Sequence, residues 1–150
     1  RKVADQMIYD LFSSSGFNQY TKSLYRKPAI IMGAIKNRTT EHIDVNAFVR
    51  KFEIVIHNSE YATIVESDEF RDKVRRERLE QQDFADPATA KAFGKELGAD
   101  LMLFGELISE IDTYGNKRVV NYQTTLFLTN IETGERVWFG QHEIKKYIKN

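Results

Sequence analysis

Apolar positions near the start of the chain recur at the spacing of one helical face: Val3, Met7, Ile8, Leu11 and Phe12. That three-and-four pattern predicts a helix over residues 3–12. The run Ser13-Ser14-Ser15-Gly16 should end it, since short polar side chains and glycine favour turns. Residues 17–27 hold aromatics at no clean period and read as a packed connection or a ragged edge strand. After Pro28, the unbroken run Ala29-Ile30-Ile31-Met32-Gly33-Ala34-Ile35 suits a strand buried on both faces, as strands of parallel sheets are. Asp44 is a good N-cap, and Ala47, Phe48, Phe52 and Val55 mark a second helix running to about Asn58. A short strand over 61–65 follows.

Residues 69–82 are charge-dense, with Phe70, Val74 and Leu79 on one side and the i,i+4 pairs Glu69/Lys73 and Asp72/Arg76 on the other, the pattern of a surface helix. Asp86-Pro87 is an N-cap followed by proline at the first helical position, Ala90, Phe93 and Leu97 line one face, and Gly98 closes the element. The last third changes period. Residues 101–111, 118–131 and 136–145 read as strands, separated by Tyr114-Gly115-Asn116-Lys117 and Glu132-Thr133-Gly134-Glu135, both of which hold turn residues at hairpin spacing. The resulting order, α-β-α-β-α-α-β-β-β, predicts one α/β (α+β) domain over residues 1–150. It has a mixed sheet ending in a three-stranded antiparallel meander, packed against about four helices.

Alternation along the three late strands assigns residues to the two faces of the sheet, provided no bulge shifts the register. One face holds Leu101, Leu103, Leu107, Tyr122, Leu126, Leu128, Trp138 and Ile144, and is the core face. The other mixes three phenylalanines with carboxylates and amides: Met102, Phe104, Glu106, Glu110, Asn121, Gln123, Thr125, Phe127, Phe139, Gln141 and Glu143. Aromatics rimmed by polar groups are what a protein-binding patch looks like. Met102, Phe104, Glu106, Asn121, Gln123, Phe127, Phe139 and Gln141 are the candidate partner-binding residues, with Phe104 and Glu106 the first to test. The competing reading is that the first helix or residues 17–27 cover the phenylalanines.

Composition narrows the chemistry. The 150 residues are 41% hydrophobic and 12% aromatic, enough for a single core, and Lys+Arg and Asp+Glu both number 22, so no net field draws the chain to nucleic acid or anionic lipid. Without cysteine there is no disulfide, thiol nucleophile or Cys-containing zinc site. His42, His57 and His142 show no ligand spacing, so no metal or other cofactor is expected. No GxSxG elbow is present, and Gly94-Lys95 lacks the upstream glycine of a P-loop. Glu106 and Glu110 share a strand face but stand about 13 Å apart at strand rise. That exceeds the roughly 5–9.5 Å of a glycosidase pair. Asn37-Arg38-Thr39 matches a glycosylation sequon, a pattern too short to count alone. No run is apolar for the roughly 20 residues a bilayer requires. The chain opens on Arg1 and reads as a piece of something longer, with no enzymatic constellation.

Three segments carry a resemblance. NRTTEHID at residues 37–44 directly follows a hydrophobic strand, LGADLMLFGEL occupies 97–107 and TGERVWFG occupies 133–140. In this order and at these gaps the chain resembles the LpoB family of outer-membrane lipoproteins, which activate class A penicillin-binding proteins, over about residues 28–145. The curli secretion lipoprotein and the N-terminal region of TolB are similar in fold. The curli channel needs inserted amphipathic membrane hairpins, and none is visible.

The resemblance implies a monomeric periplasmic domain, held to the outer membrane only through a lipidated cysteine and linker missing from this sequence. It further implies docking onto a bifunctional peptidoglycan synthase whose activities it stimulates. The alternative is a structural subunit of an envelope or secretion complex. Asn37, Arg38, Thr39, Glu41, His42 and Asp44 carry over as a family-motif loop, in which the Asn and Thr side chains can bond nearby backbone and shape the entry to the second helix. Residues 17–27 and 69–82 match no family motif.

Overall fold

The computed structural model describes residues 2–66, 92 and 94–149. The first helix, α1 (Lys2–Ser13), turns Ala4, Met7, Ile8 and Leu11 into the core on its three-and-four stripe. The serine run that ends α1 also starts α2 (Ser15–Lys22). Ser14 is its N-cap, with the hydroxyl accepting from the Phe17 N–H at 3.2 Å. Residues 17–22 are therefore helix, residues 23–27 are the connection to the next element, and neither is an edge strand. Phe17 is buried, and its ring meets Phe12 edge-on at 4.9 Å.

The long apolar run forms β1 (Ala29–Asn37), buried from Ala29 through Ile35. Then come α3 (Val45–Ser59) and the short β2 (Thr63–Val65). Asp44 caps α3 by accepting from the Ala47 N–H at 3.1 Å, and Phe52 and Ile56 are its fully buried positions. The helix ends on Glu60 in the left-handed region, φ 65°. The helix read over 69–82 lies outside the described residues, and of the next helix only its end can be placed: residues 94–97 are helical and Gly98, φ 73°, closes them. The meander follows as β3 (Leu101–Tyr114), β4 (Lys117–Asn130) and β5 (Arg136–Lys149); β3 and β5 run longer than their patterns suggested, and β4 is shifted by one residue.

These strands form one five-stranded mixed sheet in the order β2-β1-β3-β4-β5, parallel from β2 to β3 and antiparallel beyond. The fold class is the one expected from the sequence. The chain leaves β1 through α3 to β2 on one side, then returns past β1 to β3. Right-handed crossovers in opposite lateral directions lie on opposite faces. Accordingly α3 packs in the main core with α1, α2 and Leu101, Leu103, Leu107, Leu126 and Leu128, while Leu97 packs on the other face against Ile31, Met102 and Ile131.

Asp100 ties the sheet's start together. Its carboxylate takes both Arg26 guanidinium nitrogens at 2.7 and 2.8 Å and the Ala29 N–H at 2.8 Å.

Candidate partner-binding site

The helices settle which face of the sheet is covered by what. α1 and α2 contribute only to the core that holds Leu101 and Leu126, so neither the first helix nor residues 17–27 covers the phenylalanines. That expectation is overturned, because both segments present their apolar stripes to the opposite side of the sheet. The face assignment itself holds for the residues assigned, and the bulge at Leu128/Thr129 shifts only the start of β5, at Arg136. Two core-face positions are less buried than their parity suggests. Ile144 is 49% exposed, because the meander runs on past the helices, and Tyr122 turns to the family-motif loop.

Cross-strand register brings the candidates into rows. Phe104, Phe127 and Phe139 lie side by side, with ring centroids 5.3 and 6.3 Å apart. Phe139 is 64% exposed while its two neighbours are half-buried. Arg136 lays its guanidinium over the Phe127 ring at 4.1 Å, a cation–π contact. In the next row Glu106, Thr125 and Gln141 are aligned, and an amide relay links the polar side chains: Gln141 donates to Gln123 at 3.2 Å and Gln123 to Glu143 at 3.1 Å. The Asn121 Oδ1 is buried without a hydrogen-bond partner among the described residues. Met102 does not join this surface. At 3% exposure it is core, packed with Leu97, Ala99 and Ile131.

The family-motif loop is built as its residue types allow. The Asn37 carboxamide oxygen accepts from the Thr39 N–H at 3.0 Å and from the Thr39 hydroxyl at 2.6 Å, and its amide donates to the Glu41 carbonyl at 2.8 Å. This is a side chain standing in for a turn of backbone. The Arg38 N–H donates to the Leu107 carbonyl at 2.8 Å, and its guanidinium approaches Glu106 at 3.4 Å, which joins the loop to the aromatic and amide face. The Tyr122 hydroxyl bonds Glu41, and that bond, with some desolvation and the carboxylate's charge, pushes the phenol pKa up. Asp44 serves as the α3 cap and His42 is exposed. An open groove of about 870 Å³ runs beside the loop, lined by Lys36, Arg38, His42, Asp44 and Asn46 among others.

Sequence reasoning missed Arg136 over Phe127, Arg38 on Glu106 and Tyr122 on Glu41. The first had no usable signal, since strict alternation puts Arg136 on the Trp138 face and only the bulge at Leu128/Thr129 brings it over Phe127. The others depend on where a loop returns, which periodicity does not report.

Among the described residues no group of His, Cys, Asp and Glu could hold a metal ion, and no helix is long and apolar enough to cross a membrane. The architecture is thus an α/β domain with helices α1, α2 and α3 on one face of the sheet and a mixed aromatic and amide surface on the other. The chain belongs to the family described as peptidoglycan-synthase activator LpoB, which it matches over residues 1–144. Solved structures share the fold at low identity. The LpoB C-terminal domain from Salmonella enterica is 16% identical with a TM-score of 0.56, covering 86% of this chain and 92% of that one. The Escherichia coli domain is 14% identical with a TM-score of 0.54, covering 86% and 94%. The PelC dodecamer from Paraburkholderia phytofirmans is 16% identical with a TM-score of 0.52, covering 83% and 76%. No curated protein matches significantly.

Proposed function

We propose that this chain is a non-enzymatic activator that binds a bifunctional class A penicillin-binding protein in the periplasm and stimulates peptidoglycan synthesis. In this reading residues 1–150 are one globular domain, held at the outer membrane by a lipid anchor on the full-length protein. Docking is through the sheet face that carries Phe104, Phe127, Phe139, Gln123, Gln141, Asn121 and Glu106. The family match over residues 1–144 supports the activator role. The row of three phenylalanines ending in an exposed Phe139 supports the surface.

The row has the composition of a contact centre: aromatic anchors beside a polar surround already linked by hydrogen bonds. Phe139 is the first residue to test, ahead of Phe104 and Glu106, because truncating it disturbs the least packing. Phe139→Ala should cost about 2 kcal/mol of binding if it is an anchor, or roughly 30-fold in Kd. Surface plasmon resonance against the purified synthase, with glycan-chain polymerisation followed in parallel, measures both binding and activation. Unchanged affinity in Phe139→Ala and in a Phe127→Ala/Phe139→Ala pair would exclude this face as the docking site.

A further inference from the structure

The outer edge of β5 is self-complementary. β3 and β4 are joined by the two-residue turn Gly115-Asn116, with Gly115 at φ 62°, and such a hairpin closes on a hydrogen-bonded pair, here Tyr114 and Lys117. Alternate residues of β4 counted from Lys117 then spend their backbone groups on β3, and those between spend theirs on β5. Their β5 partners are Trp138, Gly140, His142, Ile144, Lys146 and Ile148. The odd-numbered residues of β5 must turn their N–H and C=O outward. Val137 bears this out: Gly16 of α2 packs directly on its carbonyl, where a Cβ would collide. α2 thus covers the edge at Val137, whereas Gln141, Glu143, Lys145 and Tyr147 point their backbone groups to a side where no strand pairs among the described residues.

A long edge with free donors and acceptors is a template for another strand. The side chains say which. In an antiparallel pairing of two copies with the two-fold axis at Ile144, Glu143 of each copy faces Lys145 of the other, Gln141 faces Tyr147, and Ile144 faces its own counterpart. Opposite charges and apolar pairs directly across an antiparallel ladder are stabilising. Sliding either way to the next register that joins outward-facing residues sets Glu143 against Glu143 or Lys145 against Lys145, which is destabilising. Ile144 and Tyr147, 49% and 75% exposed among the described residues, gain cover when the edge is paired.

We propose that two copies of this chain associate through residues 141–147 of β5, antiparallel about Ile144, into a continuous ten-stranded sheet. The contact is isologous, so each copy contributes the same patch. It stops short of Val137, where α2 bars the edge. The monomer implied by the family resemblance is replaced by a concentration-dependent dimer.

Sedimentation equilibrium on the chain alone tests this without the synthase, so its outcome is separate from that of the activator reading. The wild type should move from one to two chain masses as concentration rises. Glu143→Lys and Lys145→Glu, each placing like charges opposite one another, should abolish the dimer, and the double exchange Glu143→Lys/Lys145→Glu should restore it. Tyr147→Pro, which removes an outward donor and leaves the β4 ladder intact, should also be monomeric. Amide hydrogen exchange supplies a readout independent of substitution: Glu143, Lys145 and Tyr147 should become protected on dimerisation, while Ile144 and Lys146 are protected throughout. A wild type that stays monomeric at every concentration overturns the proposal. So does a dimer indifferent to Glu143→Lys, a closed ring of more copies, or alternate-amide protection that appears only when the synthase is added.

Discussion

Asp100→Ala removes the carboxylate that ties Arg26 and the start of β1 to the start of β3, and the cost can be worked from its partners. The Asp100 N–H donates to the Ala29 carbonyl at 2.8 Å and its carbonyl accepts from the Ile131 N–H at 3.1 Å, and both bonds survive because they are backbone. The carboxylate's bonds are lost. Arg26 is 59% exposed at its side chain against 15% for Asp100, so water takes over most of what the guanidinium gives up, and that part of the loss is small. Ala29 is nearly buried, and its N–H is left without a charged acceptor. Hydrogen bonds to charged groups contribute roughly 1.5–3 kcal/mol, so the loss should be about 2 kcal/mol in urea denaturation at neutral pH.

The pH dependence of that loss is fixed by the direction of the Asp100 shift. Partial burial is the largest single influence and pushes the carboxyl up. The hydrogen bonds from Arg26 and from the Ala29 N–H, with the Arg26 charge, together outweigh it and hold the pKa below its ordinary 3.8. A depressed carboxylate stabilises the fold fully above its unfolded pKa and loses that contribution as pH falls through its folded value. The gap between wild type and Asp100→Ala should therefore be constant from neutral pH down to about 5 and narrow below the unfolded value of about 3.9. A gap near zero at pH 7, or one that widens in acid, would refute the reasoning.

Gly16→Ala sets two effects against each other. Helix propensity favours alanine by up to about 1 kcal/mol, but the new methyl would meet the rigid Val137 carbonyl and force α2 off β5, an overpacking cost of roughly 1–3 kcal/mol. Net destabilisation by urea titration is expected, and a gain would show that α2 shifts freely. Glu60→Gly should stabilise by about 0.5–1 kcal/mol, because the α3 cap holds a side chain at φ 65°, and a lower melting temperature would count against that account. Asn37→Ala removes three hydrogen bonds from an exposed loop and should cost about 1–2 kcal/mol, with amide exchange rising at Thr39 while β1 is unaffected.

Periodicity made most of the scaffold legible, because burial on one face leaves a repeat of 3.6 or 2 in the residues themselves. α1, α3, β1 and the three late strands were all readable this way, and so were the two sheet faces. α2 was not. Its eight residues carry only Phe17 and Tyr20 toward the core, too few to show a period, and its one strong signal, Ser14 as an N-cap, also fits the end of α1. Met102 was misplaced on the open surface for a different reason. Alternation gives the side of the sheet a residue faces but not what crosses over it, and here the end of the β2-to-β3 crossover does. The Arg38–Glu106 and Tyr122–Glu41 contacts lay beyond sequence for the same cause.

The segments by which the family is recognised serve the scaffold more than the surface. In residues 97–107, Gly98 closes a helix at positive φ, Asp100 ties the start of β1 to the start of β3, and Gly105 admits the Thr125 carbonyl and Leu126 where a Cβ would not fit. In residues 133–140, Gly134 takes φ 77° in the turn, and Trp138 lays its indole over Gly140 on the core side, filling the space a glycine leaves on a strand. Phe139 alone in that segment turns its ring to the other face. Parity separates frame from surface within that segment: Trp138 turns to the core and Phe139, one residue on, to the open face. The surface is then read from what the frame leaves exposed, which is the end of the aromatic row and the edge of β5.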